Sequence, residues 1–183
     1  MFVRSLSIGV AAAALMVSGA QAADLIIPTT PEPIYEPAGF SWDGLYAGVE
    51  AGGIFTDGID DDVGGVIGGV VGVNFTVADP FLLGAELQGD YVWMDGDDAG
   101  LFLALARVGA VVTDEVLVYG SAGVGVSVTD GDDDGVFALG GGVEVAVTEN
   151  VSVRGEVLGL GTLDDGDDFF TGAKATVGVF YHF

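Results

Sequence analysis

The chain of 183 residues contains no cysteine, which excludes a disulfide framework, a thiolate metal site and a cysteine nucleophile. Histidine occurs once, as His182. It stands at the end of the last apolar segment, remote in sequence pattern from Ser121 and Ser127. No Ser-His-Asp constellation with mutual hydrogen-bond reach is therefore expected, and no catalytic residue is assigned. Basic residues are scarce: Arg4, Arg107, Arg154 and Lys174 face 28 acidic residues, for a formal charge of -24. Nucleic acid is excluded as a partner, because phosphate contacts need clustered Lys and Arg. Long apolar runs are missing too. Beyond the N-terminal region none reaches the 18 or so residues that a spanning helix requires.

Half of the residues are nevertheless apolar, and the mean hydropathy is positive. High total hydrophobicity without a spanning helix implies apolar residues dispersed by alternation, the pattern of membrane β-strands.

At the N-terminus, Arg4 precedes an Ala-rich apolar run from Leu6 to Val17, and Ala20-Gln21-Ala22 has the A-x-A form of a cleavage site. Residues 1–22 read as a secretory signal peptide, too short for a membrane anchor. Export through the periplasm is the expectation. Residues 23–41 hold Pro28, Pro31, Pro33 and Pro37 and read as an extended periplasmic lead-in.

From Trp42 to Phe183 the chain repeats. Asp clusters at 57–62, 95–98, 130–134 and 164–168 recur about every 35 residues, a hairpin-sized unit. Midway between them fall short turn signals at 77–80, 113–115 and 148–150. Eight strands follow, at 44–55, 63–75, 81–93, 100–112, 116–128, 136–147, 151–160 and 169–183. Each is long enough for a tilted strand to cross a bilayer. Short turns on one side and longer polar loops on the other predict an all-β fold, an eight-stranded antiparallel up-and-down transmembrane barrel.

Face assignments sharpen that reading. In 81–93, Phe81, Leu83, Ala85, Leu87, Tyr91 and Trp93 share one parity, and Glu86, Gln88 and Asp90 the other. Arg107, Arg154 and Lys174 all fall on the polar parity, as do Glu50, Glu86, Glu144 and Glu156. Facing lipid at mid-depth, each Arg or Lys would cost roughly 2–4 kcal/mol; inside a lumen they can pair. If Val147 faces Val151, Glu144 stands opposite Arg154. If Met94 faces Ala99, Glu86 stands opposite Arg107. The last hairpin brings Glu156 to Lys174. Outward aromatics form two groups: Phe55, Tyr91, Trp93, Phe102, Phe137 and Phe169 near the Asp clusters, and Phe75, Phe81, Tyr181 and Phe183 near the short turns. Two such girdles bound an apolar band.

The stretches SWDGLYAGVEAG (41–52), GGVIGGVVGVNF (64–75), LARVGAVVTDEVLVYGSAGV (105–124) and FALGGGVEVAVTENVSVRGEV (137–157) resemble the small outer-membrane β-barrels of alphaproteobacteria. Those are OmpA-like, opacity-type members of the porin-family barrels. The terminal ATVGVFYHF, with Val177, Val179, Tyr181 and Phe183 alternating, is similar to the signal that barrel-assembly machinery reads in that family. The resemblance implies an outer-membrane location in a Gram-negative bacterium, with outer-membrane lipid and lipopolysaccharide as surroundings and the assembly machinery as a partner. It names no host or surface ligand.

Residues 129–135, TDGDDDG, carry half of an EF-hand loop: Asp130, Asp132 and Asp134 alternate before Gly135, but the twelfth position is Gly141 instead of Glu. Strands, not helices, flank it. A sensor-type calcium site is not expected. Weak collective binding of Ca²⁺ or Mg²⁺ by a rim of fifteen Asp and no basic residue is the residual metal reading. Gly-rich runs such as GGVIGGVVG lack the following helix of a phosphate cradle and instead make room for large inward rings such as Tyr46 or Tyr119. No cofactor is assigned. The leading functional expectation is a non-enzymatic structural and cell-surface barrel whose lumen is plugged by ion pairs, because eight strands leave an interior that side chains can fill. A small pore with weak cation preference is the second reading, and a soluble acidic β-protein binding divalent cations the third.

Overall fold

Valine and glycine dominate the segments between the Asp clusters. Valine is stiff and suits the pleated surface; strict alternation then turns one row of side chains outward and the next inward. The computed structural model follows this pattern. It describes residues 40–56, 62–94, 97–129, 133–163 and 170–183; the expected signal peptide, most of the lead-in and Phe169 lie outside them. The strands are β1 (Gly44–Thr56), β2 (Asp62–Ala78), β3 (Phe81–Met94), β4 (Asp97–Thr113), β5 (Val116–Val128), β6 (Asp133–Ala146), β7 (Val151–Thr162) and β8 (Gly172–His182). Each pairs antiparallel with its chain neighbours, and β1 pairs with β8, so the sheet closes. Closure leaves no unpaired edge, which is what lets strands cross lipid.

Several strands run further than the apolar pattern implies. β2 reaches Ala78 and β4 starts at Asp97, because ladder bonds use the backbone and continue past the last apolar side chain. At the turn end this leaves two-residue connections, Asp79-Pro80 and Asp114-Glu115. The third turn is held by Val147 N–H donating to Val151 O at 2.8 Å and Val151 N–H donating to Thr148 Oγ1 at 3.0 Å. The four connections between β1–β2, β3–β4, β5–β6 and β7–β8 leave from the opposite end, here the loop end.

The two faces differ as the alternation requires. Leu45, Val49, Ile67, Val71, Leu87, Val108, Val124, Val157 and Val177 are exposed on the outside. Tyr91, Trp93 and Phe102 near the loop end, and Phe75, Phe81, Tyr181 and Phe183 near the turn end, are exposed as well. Among the described residues, the buried charged groups are Glu50, Glu86, Asp90, Arg107, Glu144, Arg154, Glu156 and Lys174, all inside.

Candidate functional site

The lumen is filled in tiers. At the turn end, Phe40 and Trp42 meet edge to face with ring centroids 4.5 Å apart, and Trp42 Nε1 donates to Asp114 O at 3.2 Å. They pack with Leu82, Leu117 and Tyr119 across the barrel mouth. Phe40 lies within the expected lead-in, yet its ring also reaches His182, 4.6 Å away.

Above this plug sits the charged tier. Arg154 donates to Glu144 Oε2 through Nε (3.0 Å) and Nη2 (2.9 Å), and to Glu86 Oε1 through Nη1 (2.5 Å). Arg107 reaches the same two carboxylates, Glu86 at 3.0 Å and Glu144 at 3.3 Å. The two guanidinium groups thus share two carboxylates in a closed square. Tyr46 adds its hydroxyl to Glu86 Oε1 at 2.7 Å. The flat faces of the cations are covered: Arg107 lies 3.8 Å from the Tyr119 ring centroid and Arg154 3.8 Å from that of Phe180. Arginine suits this place because its planar fork bridges carboxylates while its face stacks on a ring.

Lys174 organises a second group. Its ammonium donates to Glu50 Oε1 (2.8 Å), Gln88 Oε1 (2.8 Å) and Asp90 Oδ2 (2.6 Å), so all three of its protons are used. Gln88 Nε2 in turn donates to Glu156 Oε1 at 2.9 Å, and Tyr119 OH to Glu156 Oε2 at 2.7 Å. Glycine makes this packing possible. A Cβ at Gly72 would enter the Tyr46 ring, and one at Gly142 would meet the Tyr119 hydroxyl.

Toward the loop end the interior turns apolar: Ile54, Val66, Val92, Leu101, Leu103, Leu105, Val136, Ala138, Leu158 and Leu160 form one cluster that begins beside Lys174 and Asp90 and runs toward the loops.

The expected pairs fare differently. Glu144 stands directly opposite Arg154 in the β6–β7 ladder. Glu86 does not stand opposite Arg107. Met94 faces Asp97, not Ala99, so the β3–β4 register slides by two residues and Arg107 faces Gly84. The contact survives because a long side chain spans the diagonal to a neighbour two positions away. The Glu156–Lys174 pair is corrected outright. Glu156 faces Thr176 and Lys174 faces Leu158; Lys174 reaches Glu50 on the adjoining β1 and Asp90 on β3, while Gln88 and Tyr119 occupy the Glu156 carboxylate. Asp90, Gln88, Tyr46, Ser152 and His182 complete the network and carried no assigned role in the sequence. Their inward parity was the signal that could have found them.

His182 Nε2 lies 3.1 Å from Ser152 Oγ and 3.0 Å from Glu144 Oε1, and Ser152 Oγ donates to the same carboxylate oxygen at 2.5 Å. A nucleophile relay needs serine on one ring nitrogen and the acid on the other. Here both meet Nε2, and Nδ1 has no partner among the described residues. The arrangement is a buried polar cluster with no relay in it. At the rim, Asp130 and Asp132 lie outside the described residues. Asp134 faces the loop-end mouth, and among the described residues no group of three or more potential metal ligands converges. Val177, Val179, Tyr181 and Phe183 form an outward apolar row at the end of β8.

A closed antiparallel barrel with a charged interior and an apolar exterior belongs in a membrane, and residues 10–183 match the outer membrane protein beta-barrel domain family. The chain belongs to that family. Its outer-membrane location follows from the same match. No curated protein matches the sequence. Among solved structures, this outer-membrane barrel is similar to Ail, the attachment invasion locus protein of Yersinia pestis. The identity is 13% and the TM-score 0.53, over 76% of this chain and 96% of that one. The N-terminal β-barrel domain of Pseudomonas aeruginosa OprF is 17% identical, with a TM-score of 0.51 over 75% and 97%. The outer membrane enzyme PagL shares the fold at 12% identity and a TM-score of 0.53, over 75% and 99%. At these identities the likeness is one of fold alone.

Proposed function

We propose that this outer-membrane barrel is a non-enzymatic structural and cell-surface protein with a sealed lumen and with its acidic loops directed away from the cell. One observation carries this reading. Three obstructions, the aromatic plug, the ion-paired tiers and the apolar cluster, follow one another along the interior from the turn end toward the loop-end mouth. Water cannot follow an apolar constriction readily, and ions pass it less readily still. Planar-bilayer recordings on refolded protein test the proposal. Discrete conductance above the lipid background would overturn it.

The second reading, a small pore with weak cation preference, draws on the lumen's acidic surplus: Glu50, Glu86, Asp90, Glu144 and Glu156 against Arg107, Arg154 and Lys174. The same recordings, with cation and anion replacement, decide between the two. The charge distribution also bears on surface partners. Ail has been solved with a heparin analogue, sucrose octasulfate. In this chain the loops carry Asp and no Lys or Arg, so a polyanion of that kind would be repelled.

We further propose that residues 1–22 direct export, that assembly machinery reads the Val177–Phe183 row, and that lipid and lipopolysaccharide surround the exposed band. Deleting Phe183 should lower the yield of membrane-inserted protein in cells while the purified variant still refolds in detergent. Normal insertion of the deletion variant would remove the assembly role. Weak divalent-cation binding by the rim, including Asp130, Asp132 and Asp134, predicts calcium heat in calorimetry at low ionic strength that vanishes at high salt.

A further inference from the structure

At the loop end the barrel opens into a cup of about 200 Å³. Its wall is apolar, with Ile54, Val92, Leu101 and Val136 contributed by β1, β3, β4 and β6. These wall residues belong to the apolar cluster, which continues from the cup toward the Lys174 group: Ile54 stands beside Lys174 and Leu101 beside Asp90 in the ladders. The polar lining of the cup consists of Asp134, Ser127, Thr162 and Thr171. Asp134 and Ser127 face one another in the β5–β6 ladder and both line the cup.

Asp134 is exposed at the mouth, and among the described residues no Lys or Arg pairs with it. Of the four Lys and Arg residues, Arg107, Arg154 and Lys174 are held in the lumen by Glu86, Glu144, Glu50 and Asp90. Arg4 lies in the expected signal segment. The exposed Asp134 carboxylate is satisfied by water, and any counter-charge that replaces this water comes from outside the chain. The surrounding Asp-rich loops raise the local concentration of cations of every kind, but the cup discriminates among them. A hydrated metal ion would have to shed water against Ile54, Leu101 and Val136 with a single carboxylate in return, a poor exchange. An organic cation with one apolar group would place that group on the wall and its ammonium on Asp134. A dry apolar cavity of about 150 Å³ accommodates a benzene ring, so the size fits a single ring or a short branched alkyl chain.

We propose that this cup is a binding site for small organic cations bearing one aromatic or alkyl group, with Asp134 as the charge partner and the apolar wall as the selective surface. The site is independent of the sealed-lumen reading, since it requires only the mouth.

Calorimetry on the full barrel in zwitterionic-lipid nanodiscs, with empty nanodiscs subtracted, tests it using phenethylammonium chloride. Saturable one-to-one binding is expected. The Asp134→Asn protein should bind phenethylammonium about tenfold more weakly, the loss of one charge-assisted contact, and 2-phenylethanol as the parent does. Ala99→Trp, which fills the cup, should abolish both; Asp114→Asn, at the turn end, should change neither. Heat-dependent gel mobility establishes that each variant is folded. Equal binding by tetramethylammonium, or undiminished affinity in Asp134→Asn, would show that only the general acidity of the rim is at work and would overturn the proposal. So would the absence of saturable binding. A conductance result that opened the lumen would leave this test unaffected.

Discussion

Glu144 is the residue on which most of the buried network depends. It holds Arg154, Arg107, Ser152 and His182 at once, and removing it leaves two guanidinium groups short of a counter-charge. Breaking a buried pair from one side typically costs about 3–5 kcal/mol. Glu144→Ala should lower the urea midpoint of the refolded barrel by a corresponding amount, and Glu144→Gln by less, since an amide oxygen still accepts from Ser152 and Arg154. An unchanged midpoint for the alanine variant would mean that the square carries no stability. Gly72 makes the complementary point about space. Gly72→Ala should push the Tyr46 ring from its place and loosen its bond to Glu86, at a cost of about 1–3 kcal/mol for overpacking. Tyrosine fluorescence and the unfolding midpoint report it together.

Within a strand, the two faces answer to different solvents. Leu87 is 60% exposed at the middle of β3, whereas Val112 is 58% exposed close to the turn that ends β4. Equal exposure conceals unequal depth. Arginine at the bilayer midplane costs about 2–4 kcal/mol and near the interface about 0–1. Leu87→Arg should therefore destabilise the barrel in lipid vesicles far more than Val112→Arg does, and equal effects would place the β3 midpoint outside the bilayer. Pairing registers are set at this scale too. In β6–β7 the turn has the length that the sequence suggested, so Glu144 meets Arg154 directly. In β3–β4 the ladder continues to Met94 and Asp97, and a slide of two residues follows. A slide of two preserves which face each residue occupies, which is why Arg107 stayed inside and still reached Glu86.

For the whole molecule, the order of tiers matters more than any one contact. Removing a single ion pair leaves the apolar cluster and the aromatic plug in place. Arg107→Ala is accordingly expected to remain at background conductance although it loses stability. Opening should require loss of obstruction at several levels at once. A conducting Arg107→Ala barrel would show that the square alone is the barrier. The acidic charge has a consequence at this scale as well. Exposed like charges repel over about 10 Å at 0.1 M salt, so the loop rim is expected to resist association between barrels through that end. Sedimentation in detergent at low and high salt measures this directly.

The number of strands, the turn and loop ends, and the face taken by the mid-strand charged residues were determined by the sequence by itself. These are local properties: alternation has period two, and a charge in lipid costs too much to be placed by accident. Which carboxylate each cation chooses was decided only by the tertiary structure. Arg154 found the partner opposite it, but Lys174 took Glu50 on β1, which adjoins β8 only through barrel closure, and Asp90 on β3, and His182 joined Glu144 and Ser152 from the end of β8. Those choices depend on how a closed sheet brings strands distant in the chain around one axis, and on which glycines leave room for rings. Neither quantity is carried by one strand or one hairpin. They exist only when the barrel has closed.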